Sequence, residues 1–314
     1  MIRFAALGDS VTSGFGDPMP GGGWRGWAVL LAEALDHDRA TRPYEHGGPD
    51  DNAGPGGGVR PDGRPGAGRR VELHNLAVSG ARIADVAERQ LPVALTLRPE
   101  LASVLVGMND TLRGDFDAGA LGRTLTGVVG ALTANGATVL TARLPDPGRM
   151  FGLPGALARP LGRRMAALNA VLDEIAAGHG TLHVDLAGPP GDDATVYART
   201  NWSVDRLHPS ERGHRLLAYR FALALRDAGH PVPRLPGLAA TNPEPTVGQR
   251  VRWMATQGSR WLLRRSTDLV PSLTRLVAAE LLDGLRRPAG RTAGAVPADV
   301  GDRLRHAERP GLTR

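Results

Sequence analysis

Short apolar runs alternate along the chain with longer segments in which apolar positions recur every three to four residues. Short runs bounded by Gly and polar residues predict strands, and the 3.6-residue period predicts helices. The predicted strands cover 3–7, 71–77, 101–106, 137–142 and 181–186. The predicted helices cover 24–35, 81–90, 118–134, 157–177 and 211–228.

Strands that alternate with helices predict parallel βαβ units joined by right-handed crossovers. The fold class expected is α/β, a three-layer α/β/α sandwich around a five-stranded parallel sheet. The run 101–106 is almost wholly apolar, as in a strand that is buried on both faces. We expect the flavodoxin-like order 2-1-3-4-5, because it brings the ends of strands 1, 2 and 3 together. Trp24 and Trp27 are expected to pack the first helix on the sheet.

Composition divides the chain into a main domain and several segments that lack its pattern. Residues 1–235 form the main domain, interrupted at 36–70 by a Gly- and Pro-rich insertion that we expect to be flexible. A linker at 236–245 leads to two amphipathic stripes at 246–287, which predict a C-terminal helical extension, and 288–314 is expected to be disordered. The stripes favour a helical hairpin packed on the main domain; the alternative is weak contact with an anionic membrane surface.

The positive charge belongs to the end of the chain. All 38 basic residues are Arg, and the formal net charge is +6. Residues 1–239 contain 25 Arg and 25 acidic residues, whereas 240–314 contain 13 Arg and 7 acidic residues. A nucleic-acid partner is therefore not expected for the main domain. Cys is absent, and neither a leader segment nor an apolar run of 18 residues occurs, which predicts a cytoplasmic protein.

Small and polar residues follow the first three predicted strands at Ser10, Gly80 and Asn109, and Asp205-x-x-His208 precedes the last helix. A serine hydroxyl becomes a nucleophile when a base removes its proton, and a carboxylate orients that base. The backbone N–H groups of Ser10 and Gly80 and the amide of Asn109 could donate to an oxyanion. The set therefore indicates acyl transfer.

Several of these residues also have a structural interpretation. Asp205 and His208 could simply begin a helix, with Pro209 in its first turn and Ser210 as its cap. Asp9 is expected to brace the turn before Ser10. Capping or other structural roles are expected for Asp110, Asp146 and Asp185, and a packed or solvated position for His214.

The chain resembles the SGNH/GDSL family of serine esterases and lipases. Gly8-Asp9-Ser10, the Gly80 segment, Gly107-Met108-Asn109-Asp110 and Asp205-Arg206-Leu207-His208-Pro209 match its four blocks in order, over about residues 3–228. The resemblance implies that Ser10 is the nucleophile, His208 the base and Asp205 its orienter. Ser10, Gly80 and Asn109 would form the oxyanion hole. The resemblance implies neither a metal nor an organic cofactor.

The function expected is hydrolysis of carboxylic esters, of esterase, lipase or acetylesterase type, through an acyl-enzyme. The substrate would be a small-molecule, lipid or carbohydrate ester. One alternative is a non-catalytic binding module on the same fold, and another is an acyltransferase that uses an acceptor other than water. The insertion at 36–70 and the residues beyond 240 lie outside the family pattern, so the acyl and alcohol groups and the oligomeric state stay open.

Overall fold

The structure is a computed structural model that describes residues 1–19, 21–37, 70–188 and 197–242, together with residues 248, 274 and 278. The expectations for the insertion at 36–70, the helical extension at 246–287 and the tail at 288–314 fall almost entirely outside these residues.

Helices alternate with strands along the described chain. The strands are β1 (Ile2–Gly8), β2 (Val71–Asn75), β3 (Leu101–Leu105), β4 (Thr138–Arg143) and β5 (Leu182–Asp185). The helices are α1 (Gly26–Leu35), α2 (Ile83–Asp85), α3 (Leu91–Leu97), α4 (Met108–Thr111), α5 (Ala118–Ala134), α6 (Pro147–Phe151), α7 (Gly155–His179) and α8 (Glu211–Asp227). A π-helical segment, Val86–Gln90, joins α2 to α3, and a 3₁₀ turn, Arg199–Asn201, precedes α8.

The five strands form one parallel sheet in the order β2-β1-β3-β4-β5, which confirms the predicted order. Phe4 of β1 lies opposite Leu73 of β2 and Leu101 of β3, so β1 is a central strand. This order places the ends of β1, β2 and β3 side by side. Ligands bind at the carboxyl ends of strands in open α/β sheets, and the predicted site residues follow these ends.

Helices cover both faces of the sheet, as predicted. On one face α1 packs on α8, and Trp27 of α1 contacts Phe4 and Phe221 with ring centroids 6.4 and 4.9 Å away. On the other face α5 packs on α7 and on the helical segment 83–97. The apolar strands lie between these layers, and all five residues of β3 are buried. Within the described ranges, none of the helices combines the length and apolar character that crossing a bilayer requires.

The structure corrects three details of the predicted elements. Trp24 lies before α1, is 40% exposed and packs on Phe15, so the prediction that it packs the helix on the sheet was wrong. The helix predicted at 157–177 extends over Gly155–His179 and ends at the left-handed Gly180. The predicted helix 81–90 continues to Leu97 because a π-helical segment carries the chain into α3.

Residues 237–242, here called the strap, pack against the first turn of α8. The backbone N–H groups of Thr241 and Asn242 donate to the Glu211 carboxylate over 2.8 and 2.7 Å. Arg215 donates to the carbonyl oxygen of Gly237 over 3.2 Å. The segment predicted as a linker is therefore attached to the sandwich over these residues.

Candidate active site

The end of β1 is held from two sides before the chain reaches Ser10. The N–H of Gly8 donates to Oε1 of Gln90 over 2.8 Å, and Nε2 of Gln90 donates to the carbonyl oxygen of Gly8 over 2.9 Å. Gln90 is the last residue of the π-helical segment and is buried. Because both polar groups of the side chain are used, Gln90 fixes the point at which the serine turn leaves the sheet.

Ser10, His208 and Asp205 form one chain of hydrogen bonds. Oγ of Ser10 lies 2.9 Å from Nε2 of His208, and Nδ1 of His208 lies 2.5 Å from Oδ2 of Asp205. Since the carboxylate only accepts, Nδ1 carries the proton and Nε2 is free to accept from the serine hydroxyl. Ser10 is 8% exposed and His208 is 5% exposed.

The loop before α8 fixes Asp205 through its other oxygen. Oδ1 accepts from the Ser203 hydroxyl over 2.6 Å and from the N–H groups of Leu207 and His208 over 2.9 and 3.0 Å. Burial raises the pKa of Asp205, but the hydrogen bonds and charge of His208 together with the Ser203 hydrogen bond outweigh burial, and its pKa lies below the ordinary value. Asp205 is therefore held as a carboxylate beside the imidazole.

The loop after Ser10 supports the other side of His208. The ring of Phe15 lies 4.5 Å from the imidazole, between centroids. Gly16 has φ +106°, and a Cβ there would overlap the carbonyl oxygen of Pro209. The close approach of these two loops therefore requires glycine at position 16.

The backbone N–H groups of Ser10 and Gly80 are unused within the described ranges of the chain. Gly80 has φ +83°, which side chains rarely adopt, and its segment is tied to β1 because Val78 N–H donates to the carbonyl oxygen of Gly8 over 3.2 Å. Both N–H groups are therefore available to an external acceptor.

Asn109 also lies beside the serine turn, but its side-chain amide already donates to protein acceptors. Its Nδ2 donates to the carbonyl oxygen of Ala81 over 3.0 Å and to Oδ2 of Asp9 over 3.3 Å, so both amide hydrogens face protein acceptors. Asp110 accepts from Ile83 N–H over 3.2 Å and pairs with Arg82. The residues that follow β1, β2 and β3 are thus joined by hydrogen bonds.

Asp9 is the most strongly perturbed carboxyl in this group. Burial raises its pKa from 3.8 to about 6, although the N–H of Val11 and the charge of His208 act in the opposite direction. The neighbouring Asp110 carboxylate raises the pKa further. Asp9 braces the serine turn as expected, because its Oδ1 accepts from Val11 N–H over 3.0 Å.

The remaining polar candidates have the structural roles expected of them. Asp146 accepts from Gly148 N–H at the start of α6, and Asp185 accepts from Ala187 N–H after β5, both over 2.7 Å. His214 is fully buried, where Nδ1 accepts from Trp27 N–H and Nε2 donates to the carbonyl oxygen of Phe15. Burial lowers the pKa of His214 to about 4.

The structure contains a second chain of hydrogen bonds from a hydroxyl through an imidazole to a carboxylate, and it differs from the Ser10 chain in its position in the fold. Oγ1 of Thr141 lies 2.8 Å from Nδ1 of His183, whose Nε2 lies 3.2 Å from Asp173. Thr141 is 0% exposed on a central part of β4, so no substrate reaches its hydroxyl. Ser10 instead lies past the end of its strand, beside unused N–H donors.

Sequence reasoning missed three residues of the site, namely Phe15, Gln90 and Ser203. Gln90 and Ser203 act through contacts with residues that the pattern had identified, and nothing in their own spacing indicates this. Phe15 lies five residues after Ser10, between Gly14 and Gly16, and an aromatic residue at that position was a usable signal. Among the described residues, no cluster of three His, Asp or Glu could hold a metal ion.

Comparison with known proteins shows a family match over more than half of the chain. Residues 45–216 match the model of the GDSL-like lipase/acylhydrolase family. This segment contains Gly80, Asn109, Asp205 and His208, whereas Ser10 lies before it. The chain is also 29% identical over 190 residues to the GDSL-like esterase Rv1075c of Mycobacterium tuberculosis. The match covers 56% of this chain and 59% of that relative, so the chain spans about three-fifths of its length.

Solved structures with the same fold include two named as ester-cleaving enzymes. The acetylxylan esterase Axe2 of Geobacillus stearothermophilus is 19% identical with a TM-score of 0.50, over 77% of this chain and 97% of that one. The lipase/acylhydrolase of Enterococcus faecalis is 18% identical with a TM-score of 0.50, over 73% and 97%. At this identity the likeness concerns the fold.

Proposed function

The chain belongs to the GDSL-like lipase/acylhydrolase family, and from that premise we propose that it hydrolyses carboxylic esters with Ser10 as nucleophile, His208 as base and Asp205 as orienter. The observation that carries this proposal is the hydrogen-bond chain from Ser10 Oγ through His208 to Asp205, with distances of 2.9 and 2.5 Å. These are the distances over which a base removes and returns a proton.

In the first half of the reaction, Ser10 Oγ attacks the ester carbonyl carbon and its proton moves to Nε2 of His208. The resulting imidazolium is stabilised by Asp205, whose lowered pKa keeps it ionised. When the tetrahedral intermediate collapses, the C–O bond to the alcohol breaks and His208 gives its proton to the leaving oxygen. The acyl group remains on Ser10.

In the second half, water attacks the acyl carbon while His208 again takes a proton. Collapse of the second tetrahedral intermediate breaks the bond to Ser10 Oγ, which recovers its proton from His208. The carboxylic acid leaves, and the site returns to its starting state.

The oxyanion would be stabilised first by the N–H groups of Ser10 and Gly80, which are unused in the described part of the molecule. Asn109 would add its amide by exchanging the longer of its two hydrogen bonds, that to Asp9 at 3.3 Å. Loss of one such donor typically costs about 3 kcal/mol of transition-state stabilisation.

We propose small-molecule esters as the substrate class, with lipid and carbohydrate esters included. The name of the Mycobacterium tuberculosis relative supports the esterase assignment, and the names of the solved structures include an acetylxylan esterase. A panel of esters that varies the acyl length and includes acetylated sugars would define the acyl and alcohol groups.

Replacing Ser10 by Ala tests the proposal directly. We expect Ser10→Ala to reduce kcat for 4-nitrophenyl acetate by at least about a thousandfold, because the attacking oxygen is removed while the fold is kept. A fluorophosphonate probe should label the wild-type protein and Ser13→Ala, a matched loss of a nearby hydroxyl, but not Ser10→Ala. Full turnover by Ser10→Ala would overturn the assignment.

The same assay separates hydrolysis from the two alternatives. A binding module would leave the wild-type protein unlabelled. An acyltransferase would be labelled but would release product faster when an alcohol acceptor is added, with the acyl group recovered on that acceptor. We expect labelling together with release of the free acid.

A further inference from the structure

A groove of about 560 Å³ lies beside the loop that carries Asp205 and His208, and the proposed mechanism does not use it. Its inner wall includes Phe15 and Asp205, and its outer wall is the strap, at residues 238–240 and 242. Phe15 contacts the His208 ring, so the groove is separated from the imidazole by one aromatic side chain. A volume of this size is typical of sites for small organic ligands.

Three arginines line the groove without an ionic partner among the described residues: Arg199, Arg206 and Arg212. All three are exposed. An uncompensated guanidinium offers planar, paired donors that match a carboxylate or a phosphate.

The two carboxylates that reach the groove are already satisfied. Asp205 accepts from His208, from the Ser203 hydroxyl and from two backbone N–H groups. Glu211 accepts from Arg25 and Arg215 over 2.8 Å each and from the strap. The first turn of α8 also lies in the wall and adds the partial positive charge of a helix N-terminus. Among the described residues, the side chains that line the groove therefore leave a net positive charge.

An exposed aromatic face accompanies this charge. Trp24 is 40% exposed in the groove and packs on Phe15 with centroids 4.4 Å apart. Such a pair, held before α1 by the bridge between Pro18 and Trp24, offers a flat ligand a rigid surface. The part of the indole that Phe15 leaves exposed faces the groove, where a flat ligand can pack on it.

We propose that this groove binds an organic anion that lays a planar ring against Trp24 and presents a carboxylate or phosphate to the arginines. The site is distinct from the attacking oxygen, since neither Ser10 nor His208 lines it. The inference goes beyond ester hydrolysis and does not depend on Ser10 being the nucleophile. A ligand here would lie next to the loop that carries Asp205 and His208.

The test is calorimetric binding of 2-naphthoate to the full chain, with 2-naphthamide as the neutral analogue of the same shape and 2-naphthyl phosphate as the alternative anion. We expect naphthoate to bind at least about tenfold more tightly than the amide, and the fluorescence of Trp24 to change on binding. The ratio of naphthoate to naphthyl phosphate affinity shows which anion the groove prefers.

Variants locate the site. Arg199→Ala with Arg212→Ala should weaken naphthoate binding about tenfold, and Trp24→Leu should reduce the fluorescence change, with any remainder arising from Trp202 in the same groove. Arg206 is left intact because its backbone is left-handed in the catalytic loop. The matched control is Arg123→Ala, an exposed arginine on α5 outside the groove, which should bind as the wild type does.

Ser10→Ala separates this proposal from the enzymatic one, because it should lose turnover and keep naphthoate binding. Hydrolysis of 4-nitrophenyl acetate and the melting temperature serve as checks that the arginine variants are folded. Equal binding of naphthoate and naphthamide would overturn the proposal. So would unchanged binding by the double arginine variant, or absence of binding to the folded wild-type protein at millimolar naphthoate.

Discussion

At the scale of single residues, the site contains two aspartates with opposite electrostatic character. Asp205 is stabilised as a carboxylate by four donors, and its pKa is lowered. Asp9, next to the nucleophile, accepts from Val11 N–H and over a longer distance from Asn109, and burial raises its pKa to about 6. Burial therefore makes the ionised form of Asp9 less favourable in the fold than in the unfolded chain.

This difference predicts how stability depends on pH at Asp9. In the unfolded chain Asp9 ionises near 3.8, whereas in the fold it ionises near 6, so the native state binds more protons between these values. Stability therefore falls as pH rises from about 4 to about 6, by on the order of 3 kcal/mol. Asp9→Asn removes this loss, and its unfolding free energy relative to the wild type should increase over the same interval.

Urea denaturation of both proteins at a series of pH values checks this expectation. The comparison with Asp9→Asn cancels the contributions of other groups, and Asp227→Asn, a substitution of an exposed aspartate, should show a flat difference. A pH-independent difference for Asp9→Asn would contradict the prediction. The new amide of Asp9→Asn also faces the amide of Asn109, which shifts the stability of this variant by the same amount at every pH. The prediction therefore concerns the change of the stability difference with pH.

At the scale of elements, the first turn of α8 connects the strap, the serine loop and α1. Glu211 is 5% exposed and accepts from Arg25, Arg215, Thr241 and Asn242. Arg25 in turn pairs with Asp17 on the loop that follows Ser10, over 3.0 Å. One ionic network therefore connects the strap, which forms a wall of the groove, with the loop that carries Phe15 and packs on His208.

The network predicts a pH dependence opposite to that of Asp9. Burial raises the pKa of Glu211, but the N–H groups of Thr241 and Asn242 and the hydrogen bond from Arg215 outweigh it and lower the pKa from 4.5 to about 2. The stabilisation is present above about pH 4.5 and is lost as pH falls toward 2. Glu211→Gln should therefore be less stable than the wild type at pH 7, by on the order of 3 kcal/mol, and the difference should shrink below pH 4.5.

Denaturation curves of wild type and Glu211→Gln between pH 3 and pH 7 measure this difference. Glu174→Gln, on the exposed side of α7, is the control and should stay within about 0.5 kcal/mol of the wild type throughout. If Glu211→Gln were as stable as the wild type at pH 7, the carboxylate would not hold the strap and the prediction would fail.

The elements also show what sequence reasoning can and cannot reach. The apolar run 101–106 and the alternation of strands with helices are local patterns, and they predicted the parallel sheet; its order was predicted from the need to bring the ends of strands 1, 2 and 3 together. Trp24 was misplaced because it lies three residues before Trp27, as on one face of a helix, although α1 begins only at Gly26. The role of Gln90 was invisible, because its two bonds to Gly8 join residues 82 positions apart.

The same distinction applies to the site. Ser10, Gly80, Asn109, Asp205 and His208 were predicted because each follows a strand or precedes a helix, where topology brings them to one edge. Their hydrogen-bond states could not be read from spacing. That Asn109 already gives both amide hydrogens to protein acceptors follows from the packing of three loops, and it makes the exchange of its Asp9 bond part of the proposed mechanism.

At the scale of the whole molecule, the net positive charge is confined to the end of the chain. The hydrophobic core of the described residues is formed by residues between 4 and 225, and the strap closes its last helix. Residues 1–239 carry no formal net charge, whereas 240–314 carry +6. The basic end of the chain is therefore the part expected to be attracted to anionic surfaces.

A chain that ends at Pro245 tests the two interpretations of the amphipathic stripes, because it keeps the strap and removes the basic segment. We expect a lower urea midpoint than that of the full chain and unchanged sedimentation with anionic vesicles, because the stripes favour a helical hairpin packed from 246–287 on the main domain. Hydrolysis of 4-nitrophenyl acetate should match that of the full chain. Weak contact with an anionic membrane surface would instead leave the urea midpoint unchanged and reduce sedimentation of the shortened chain at low salt, and 0.5 M salt would then reduce sedimentation of the full chain as well, because salt screens the attraction between the basic segment and anionic lipids. The two measurements together decide which interpretation of the amphipathic stripes holds.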